Sequence, residues 1–111
     1  MRRMKQQASS PAEWPVRDNP DRHRFEIDLG DGSLAIAEYT LPRGIIMFTH
    51  TEVPAGHEGQ GIGTALIRAG LAAARERELR VIPICPFFAA YIKRHAEEQD
   101  LLDPAWQRGI S

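Results

Sequence analysis

The sequence predicts a single α/β (α+β) domain in which an antiparallel β-meander is extended by a β-α-β crossover into a mixed sheet. Three observations carry this. Polar and apolar residues alternate from Arg24 to Leu41, with Asp31-Gly32 interrupting them as a hairpin turn does. The next run, Ile45 to Phe48, is apolar at every position, as in a strand covered on both faces. A stretch with helical periodicity then leads into a short apolar run, Leu79 to Ile84, and strand, helix and strand in that order make a parallel crossover.

Met1 to Pro15 is polar, with Gln, Ser and two prolines, and reads as a loose tail over residues 1–15. Arg24–Leu29 is the first strand, Ser33–Leu41 the second, and Ile45–Val53 the third, after a turn at Pro42-Arg43-Gly44. Gly61 to about Glu78 is helical, with Ile62, Leu66, Ala69 and Ala73 recurring at helical spacing and Arg68 and Arg75 on another side. Leu79–Ile84 is the fourth strand. Pro86 fixes the backbone after Cys85, and Phe87 to about Glu98 is a second helix with Phe88, Ile92 and Ala96 on one face. Asp103-Pro104 ends the ordered part. The expected organisation is therefore a tail over 1–15, a domain over 16–103 with the order β-β-β-α-β-α, and a C-terminal tail over 104–111.

At 111 residues the chain can bury one modest core, and 42% hydrophobic with 26% charged residues is ordinary globular composition. A net charge of −1, from 14 basic and 15 acidic residues, offers no electrostatic footprint for nucleic acid. No apolar run approaches the roughly 20 residues of a membrane helix. Arg2, Arg3 and Lys5 have no apolar segment behind them, so the N-terminus does not read as a secretory signal. One cysteine excludes an internal disulfide and suits a reducing cytoplasm, the expected location. Cys85 and the four histidines lack metal-ligand spacing, so no metal is expected.

The most informative stretch is Val53-Pro-Ala-Gly-His-Glu-Gly-Gln-Gly-Ile-Gly-Thr64, between the third strand and the first helix. Glycines at 59, 61 and 63 permit tight turning and close approach of a ligand to the main chain. A helix starting there directs unpaired N–H groups and positive dipole potential outward, which makes a phosphate cradle. It is not a P-loop, because Ile62 stands where the lysine after Gly61 belongs. It is not a dinucleotide fingerprint either, since Thr64 or Leu66 falls at the third glycine position. The plain alternative is a glycine-rich turn with no ligand. In such a sheet a ligand sits beyond the carboxyl ends of the parallel strands, here bounded by His50 to Pro54, the glycine loop and Cys85.

His50-Thr-Glu-Val-Pro54, Glu58-Gly-Gln-Gly-Ile-Gly63, Val81-Ile-Pro-Ile-Cys-Pro-Phe87 and Ala90-Tyr-Ile-Lys-Arg-His95 occur in one order and spacing. Together they resemble the small, minimal acetyltransferase group of the Gcn5-related N-acetyltransferase superfamily, over roughly Val16 to Leu102. Glu58 replaces the Gln or Arg that opens the wider superfamily's motif and is not unusual in the minimal group. The resemblance implies a splay between the two parallel strands, acetyl-CoA lying in the splay, and acetyl transfer to an amine acceptor, a small amine or a protein lysine or N-terminus. The main chain of Gly59, Gln60, Gly61, Ile62, Gly63 and Thr64 is expected to hold the pyrophosphate, and the strand edge at Glu52 and Val53 the pantetheine amides.

Two residues are candidates for catalysis. His50 ends the third strand and titrates in the range a general base needs; otherwise it is a surface histidine among threonines. Cys85 lies at a strand end before a helix start, where thiols tend toward the reactive thiolate, and the minimal group carries a cysteine considered for catalysis at the matching position. Otherwise Cys85 is a small buried hydrophobe. Tyr91 reads more simply as a core tyrosine than as a proton donor, and Arg68, Lys93 and Arg94 as surface charges; His23, His57 and His95 read as solvated. The alternative function is a CoA- or acyl-CoA-binding or regulatory module without turnover. The residues do not identify the acceptor.

Overall fold

The structure, a computed structural model, describes residues 14–106. Its centre is the hairpin signalled by Asp31-Gly32. Strands β2 (Arg24–Asp28) and β3 (Leu34–Thr40) pair antiparallel from Arg24↔Glu38 to Asp28↔Leu34. The Asp31 carboxylate closes the turn by accepting from the Ser33 backbone N–H at 3.0 Å. Strand β4 (Ile45–Glu52) lies antiparallel to β3, and β5 (Arg80–Pro83) lies parallel to β4 after the crossover through α1 (Ile62–Glu76). Helix α2 (Pro86–Arg94) follows, then a 3₁₀ segment over Ala96–Leu101.

The expected meander and crossover are present, with one strand more. A short β1 (Arg17–Asn19) pairs antiparallel with β2 and completes a five-stranded sheet in the order β1-β2-β3-β4-β5. Three residues of Arg-Asp-Asn, two of them exposed, carry no alternation to read. The second helix ends sooner than its apolar spacing suggests. His95 is extended at φ −126°, its Nδ1 lies 2.7 Å from the Tyr91 carbonyl, and the chain continues as 3₁₀ turn. Beyond Asp103 the chain makes a further helical turn and Trp106 packs against the core, so ordered structure extends past the expected end. The tail expected over residues 1–15 lies outside the described residues up to position 13. Trp14 itself packs on the core and donates its indole N–H to the Gln60 carbonyl at 3.0 Å.

Both helices pack on one face of the sheet. Phe25, Ile27, Ala37, Ile46 and Phe48 meet Leu66, Ile67 and Leu71 of α1 and Phe88 and Ile92 of α2 in one buried cluster. The buried stripe of α1 runs Ile62, Leu66, Gly70, Ala74, with Ile67 and Leu71 beside it, and the expected Ala69 and Ala73 sit at its margin. The glycine hides the stripe from a reading by hydrophobicity. Its function is space. A Cβ on Gly70 would stand 2.8 Å from Phe48 Cε1 and 3.3 Å from Phe88 Cε2. Those two rings stack with centroids 4.0 Å apart and planes 10° apart.

Across the sheet from the helices, Glu26 is buried between the inward-facing Phe25 and Ile27. Its carboxylate accepts from Arg24 Nε at 2.7 Å and Asn19 Nδ2 at 3.0 Å, and from Arg17. These donors, Arg24 foremost, outweigh desolvation and hold the carboxyl down at about 2 against an ordinary 4.5. The strand missed by pattern reading is thus tied to the sheet by a charge cluster.

Two stability predictions follow from this packing. Overpacking a core costs about 1–3 kcal/mol, whereas alanine regains about 1 kcal/mol over glycine within a helix. With two stacked rings in its way, Gly70→Ala is expected to lower the melting temperature; an unchanged or raised value would refute the tight contact. For Glu26 the folded pKa lies below the unfolded one. Its contribution is therefore complete above about pH 4.5 and is lost as pH falls toward about 2. Urea unfolding from pH 2 to 6 should show a shallower acid decline for Glu26→Gln than for the parent chain.

Candidate functional site

Strands β4 and β5 run together only as far as Phe48↔Pro83. The next donor toward β4 is Ile84, and it turns its N–H back onto the Ile82 carbonyl at 3.2 Å; Pro83, whose nitrogen faces the outer edge, is tolerated there. One last bond, from Cys85 N–H to the Phe48 carbonyl at 2.9 Å, clamps the strands before they part. On the other side of β4 the register slips by one residue, since Tyr39 faces Phe48 while Glu38 faces His50. Thr49 is therefore the extra residue of a β-bulge, and its hydroxyl donates to the Glu38 carbonyl at 3.3 Å. From Thr49 to Glu52 the β5-side edge of β4 has no strand partner among the described residues.

The bulge decides which side chains meet. It resets the alternation, so that Phe48 and Thr51 both face the helices. Thr51 Oγ1 comes within 3.3 Å of Cys85 Sγ. The cysteine is 5% exposed and is the N-cap residue of α2, with Pro86 in the first helical position and no side-chain cap. His50 points to the other face, 56% exposed, with Nε2 3.7 Å from a Glu52 carboxylate oxygen. His50 and Cys85 thus border one cleft of about 460 Å³, but the thiol's polar neighbour is Thr51. Strand periodicity alone could not find that threonine; the signal is the bulge, which has no sequence mark here.

A second cleft of about 270 Å³ opens over the glycine loop, lined by Gly59, Gly61, Gly63 and Thr64 among others. Gly59 and Gly61 adopt left-handed backbone at φ 80° and 77°. Gly61 is the N-cap of α1, and no side chain caps the helix, which leaves its first N–H groups for something else. Ile62 is 1% exposed, so only its main chain faces the cleft. Gln60 does not line it, and its carbonyl is engaged by Trp14. Gly63 has a different reason to be glycine, because Phe87 of α2 lies against it.

The loop is braced at its base. Glu58, the residue that departs from the wider motif, accepts from the Gly56 N–H at 3.0 Å. His57 is 22% exposed rather than freely solvated, with Nε2 3.0 Å from the Asp31 carboxylate, joining the loop to the β2–β3 turn. Ser33 first, and then His57, hold the Asp31 carboxyl well below the usual range. Tyr91 is buried, stacks on His95 at 3.8 Å, and has its hydroxyl 3.4 Å from Arg68 Nε; neither Tyr91 nor Arg68 lines either cleft. Lys93 and Arg94 are exposed on α2. Among the described residues no group of three or more His, Cys, Asp or Glu side chains is arranged to hold a metal. No described helix is long and apolar enough to cross a membrane.

With that geometry in view, the chain compares as follows. The sequence model of a family described as GCN5-related N-acetyl-transferase matches residues 24–101. An NMR solution structure of a GCN5-like candidate N-acetyltransferase from Staphylococcus aureus superposes with a TM-score of 0.64 at 27% identity. That alignment covers 81% of this chain and 88% of the other. No curated protein matches the chain.

Proposed function

The chain belongs to the GCN5-related N-acetyltransferase family, and on that premise we propose that it moves an acetyl group from acetyl-CoA to an amine, either a small amine or a protein amino group. The observation that carries this reading is the parting of β4 and β5 after Phe48↔Pro83, with the uncapped start of α1 beside the opening. An extended thioester substrate needs both an unpaired strand edge and a place for its phosphates, and here the two adjoin.

In this reading the main chain of Gly59 to Thr64 holds the pyrophosphate, Gln60 contributing to the loop's course rather than its lining. The edge at Glu52 and Val53 hydrogen-bonds the pantetheine amides, placing the thioester beside Cys85. His50, on the open side of β4, takes the proton released as the acceptor's ammonium becomes a nucleophilic amine. The amine nitrogen bonds to the thioester carbon, the C–S bond breaks, and a thiolate leaves. A backbone N–H in the splay can stabilise the oxyanion formed on the way. Cys85, with Thr51 beside it, supplies the proton to the departing thiolate and is reprotonated by the second proton, which the nitrogen releases as it becomes the amide. The other route has Cys85 attack first, carry the acetyl group and pass it on.

Calorimetry tests the loop. Valine at a left-handed position is strained and its side chain obstructs the cradle, so Gly61→Val should lose CoA binding. Unchanged affinity in a folded variant would overturn the assignment. For His50→Gln, turnover with a test amine is expected to fall about 10²–10⁴-fold while CoA affinity is kept; wild-type rates from pH 6 to 9 would make His50 structural. Rapid quench with acetyl-CoA and no acceptor separates the two Cys85 routes. Direct transfer predicts an unmodified protein mass, and an acetyl group on Cys85 that added amine discharges would establish the covalent route instead.

A further inference from the structure

The two clefts share two residues, Val53 just after β4 and Phe87 in the first turn of α2. A linear ligand with its anionic end on the glycine loop and its reacting end at Cys85 has to pass this pair. Phe87 is half exposed, which is unusual for a phenylalanine held in one place. What holds it is Gly63. A Cβ there would stand 2.4 Å from Phe87 Cε2 and 2.8 Å from Cζ, too close for the ring to stay. Gly63 is not among the glycines with positive φ and lies within α1, where alanine is the better helix former. Nor does its backbone require glycine, in contrast to Gly59, which has positive φ and open space around its Cβ position. The requirement at 63 is room for an aromatic ring.

Resting on the acetyl-CoA reading above, we infer that Phe87, seated on Gly63 and facing Val53, is the specificity-determining wall that grips the pantetheine arm between the phosphate cradle and Cys85. The missing side chain of Gly63 then serves the arm through Phe87, while its main-chain N–H stays with the cradle. The ring supplies a flat apolar surface against which a flexible, largely aliphatic arm can be ordered. A larger residue at 63 would drive the ring outward into the passage the arm needs.

The test uses two ligands and a double-mutant cycle. One ligand is CoA; the other is adenosine 3′-phosphate 5′-diphosphate, the same nucleotide and phosphates without the arm. By calorimetry, Phe87→Ala should weaken CoA on the order of ten-fold and leave the nucleotide unchanged. Gly63→Ala should weaken CoA when Phe87 is present and have no effect in the Phe87→Ala background. Thermal melts check that each variant folds; if Gly63→Ala does not, the comparison of ligands on Phe87→Ala decides alone. Equal losses for both ligands in Phe87→Ala, or the same cost of Gly63→Ala in both backgrounds, would overturn the inference. A parent chain that binds neither ligand would instead overturn the cofactor reading beneath it.

Discussion

Ile84 turns its N–H away from β4 and onto the Ile82 carbonyl, and the candidate site depends on that diverted donor. Had β5 continued to pair, the edge of β4 beyond Phe48 would be filled and Cys85 would be one more strand residue. Instead the strands part after the Cys85-to-Phe48 hydrogen bond, and Pro86 starts a helix at once. The Thr49 bulge works on the other side of the same strand, adding a residue that turns Thr51 toward the thiol. The opening is kept from collapsing by packing just beneath it, where Phe48 of β4 stacks on Phe88 of α2. Such a pair adds about 0.5–1.5 kcal/mol beyond its buried area. Its larger effect is geometric, because it fixes α2, and with it Cys85 and Phe87, against the strand they face.

Among the described residues the charges are arranged so that no lysine or arginine lines either cleft. Arg17 and Arg24 are taken up by Glu26, Arg68 sits on the Tyr91 hydroxyl, and Arg75 pairs with Asp100 and Glu98. The Arg75 pairs are exposed and contribute little stability, but they join α1 to the 3₁₀ segment after α2. Among the described residues, the groups that could attract a phosphate at the loop are backbone N–H groups and the α1 dipole, with His57 already engaged by Asp31. That is consistent with glycine, and not lysine, dominating the loop.

The hairpin, the third strand and the crossover were legible because each rests on a local pattern. The Asp31-Gly32 turn, the alternation in β2 and β3 and the apolar run of β4 are all written in neighbouring residues. The misses share a physical cause, in that they depend on contacts distant along the chain. β1 is held by the charges around Glu26, not by a pattern of its own. Helix α2 stops at Arg94 because the His95 ring closes on the Tyr91 carbonyl, although the apolar spacing runs on to Ala96. Trp106 is packed by a core that the sequence does not place near it. At the site, the positions of His50, Cys85 and the glycine loop around one opening were legible from strand order. Thr51 was not, because a one-residue slip moves a side chain to the other face without changing composition.

The glycines show the same division within a single residue type. In sequence, Gly59, Gly61 and Gly63 look like one motif with one purpose, and Gly70 looks like a flaw in a helix. In the structure, Gly59 and Gly61 are glycine because of backbone conformation, while Gly63 and Gly70 are glycine because an aromatic ring occupies the space of a Cβ. The second pair faces two adjacent phenylalanines of α2, Phe87 at Gly63 and Phe88 at Gly70. Successive residues of one helix turn are therefore seated on one side of α1, which lets α2 approach closely enough to form the wall of the opening. The glycine spacing of α1 is thus as much a docking surface for α2 as a cradle for a ligand, and the two demands meet at Gly63.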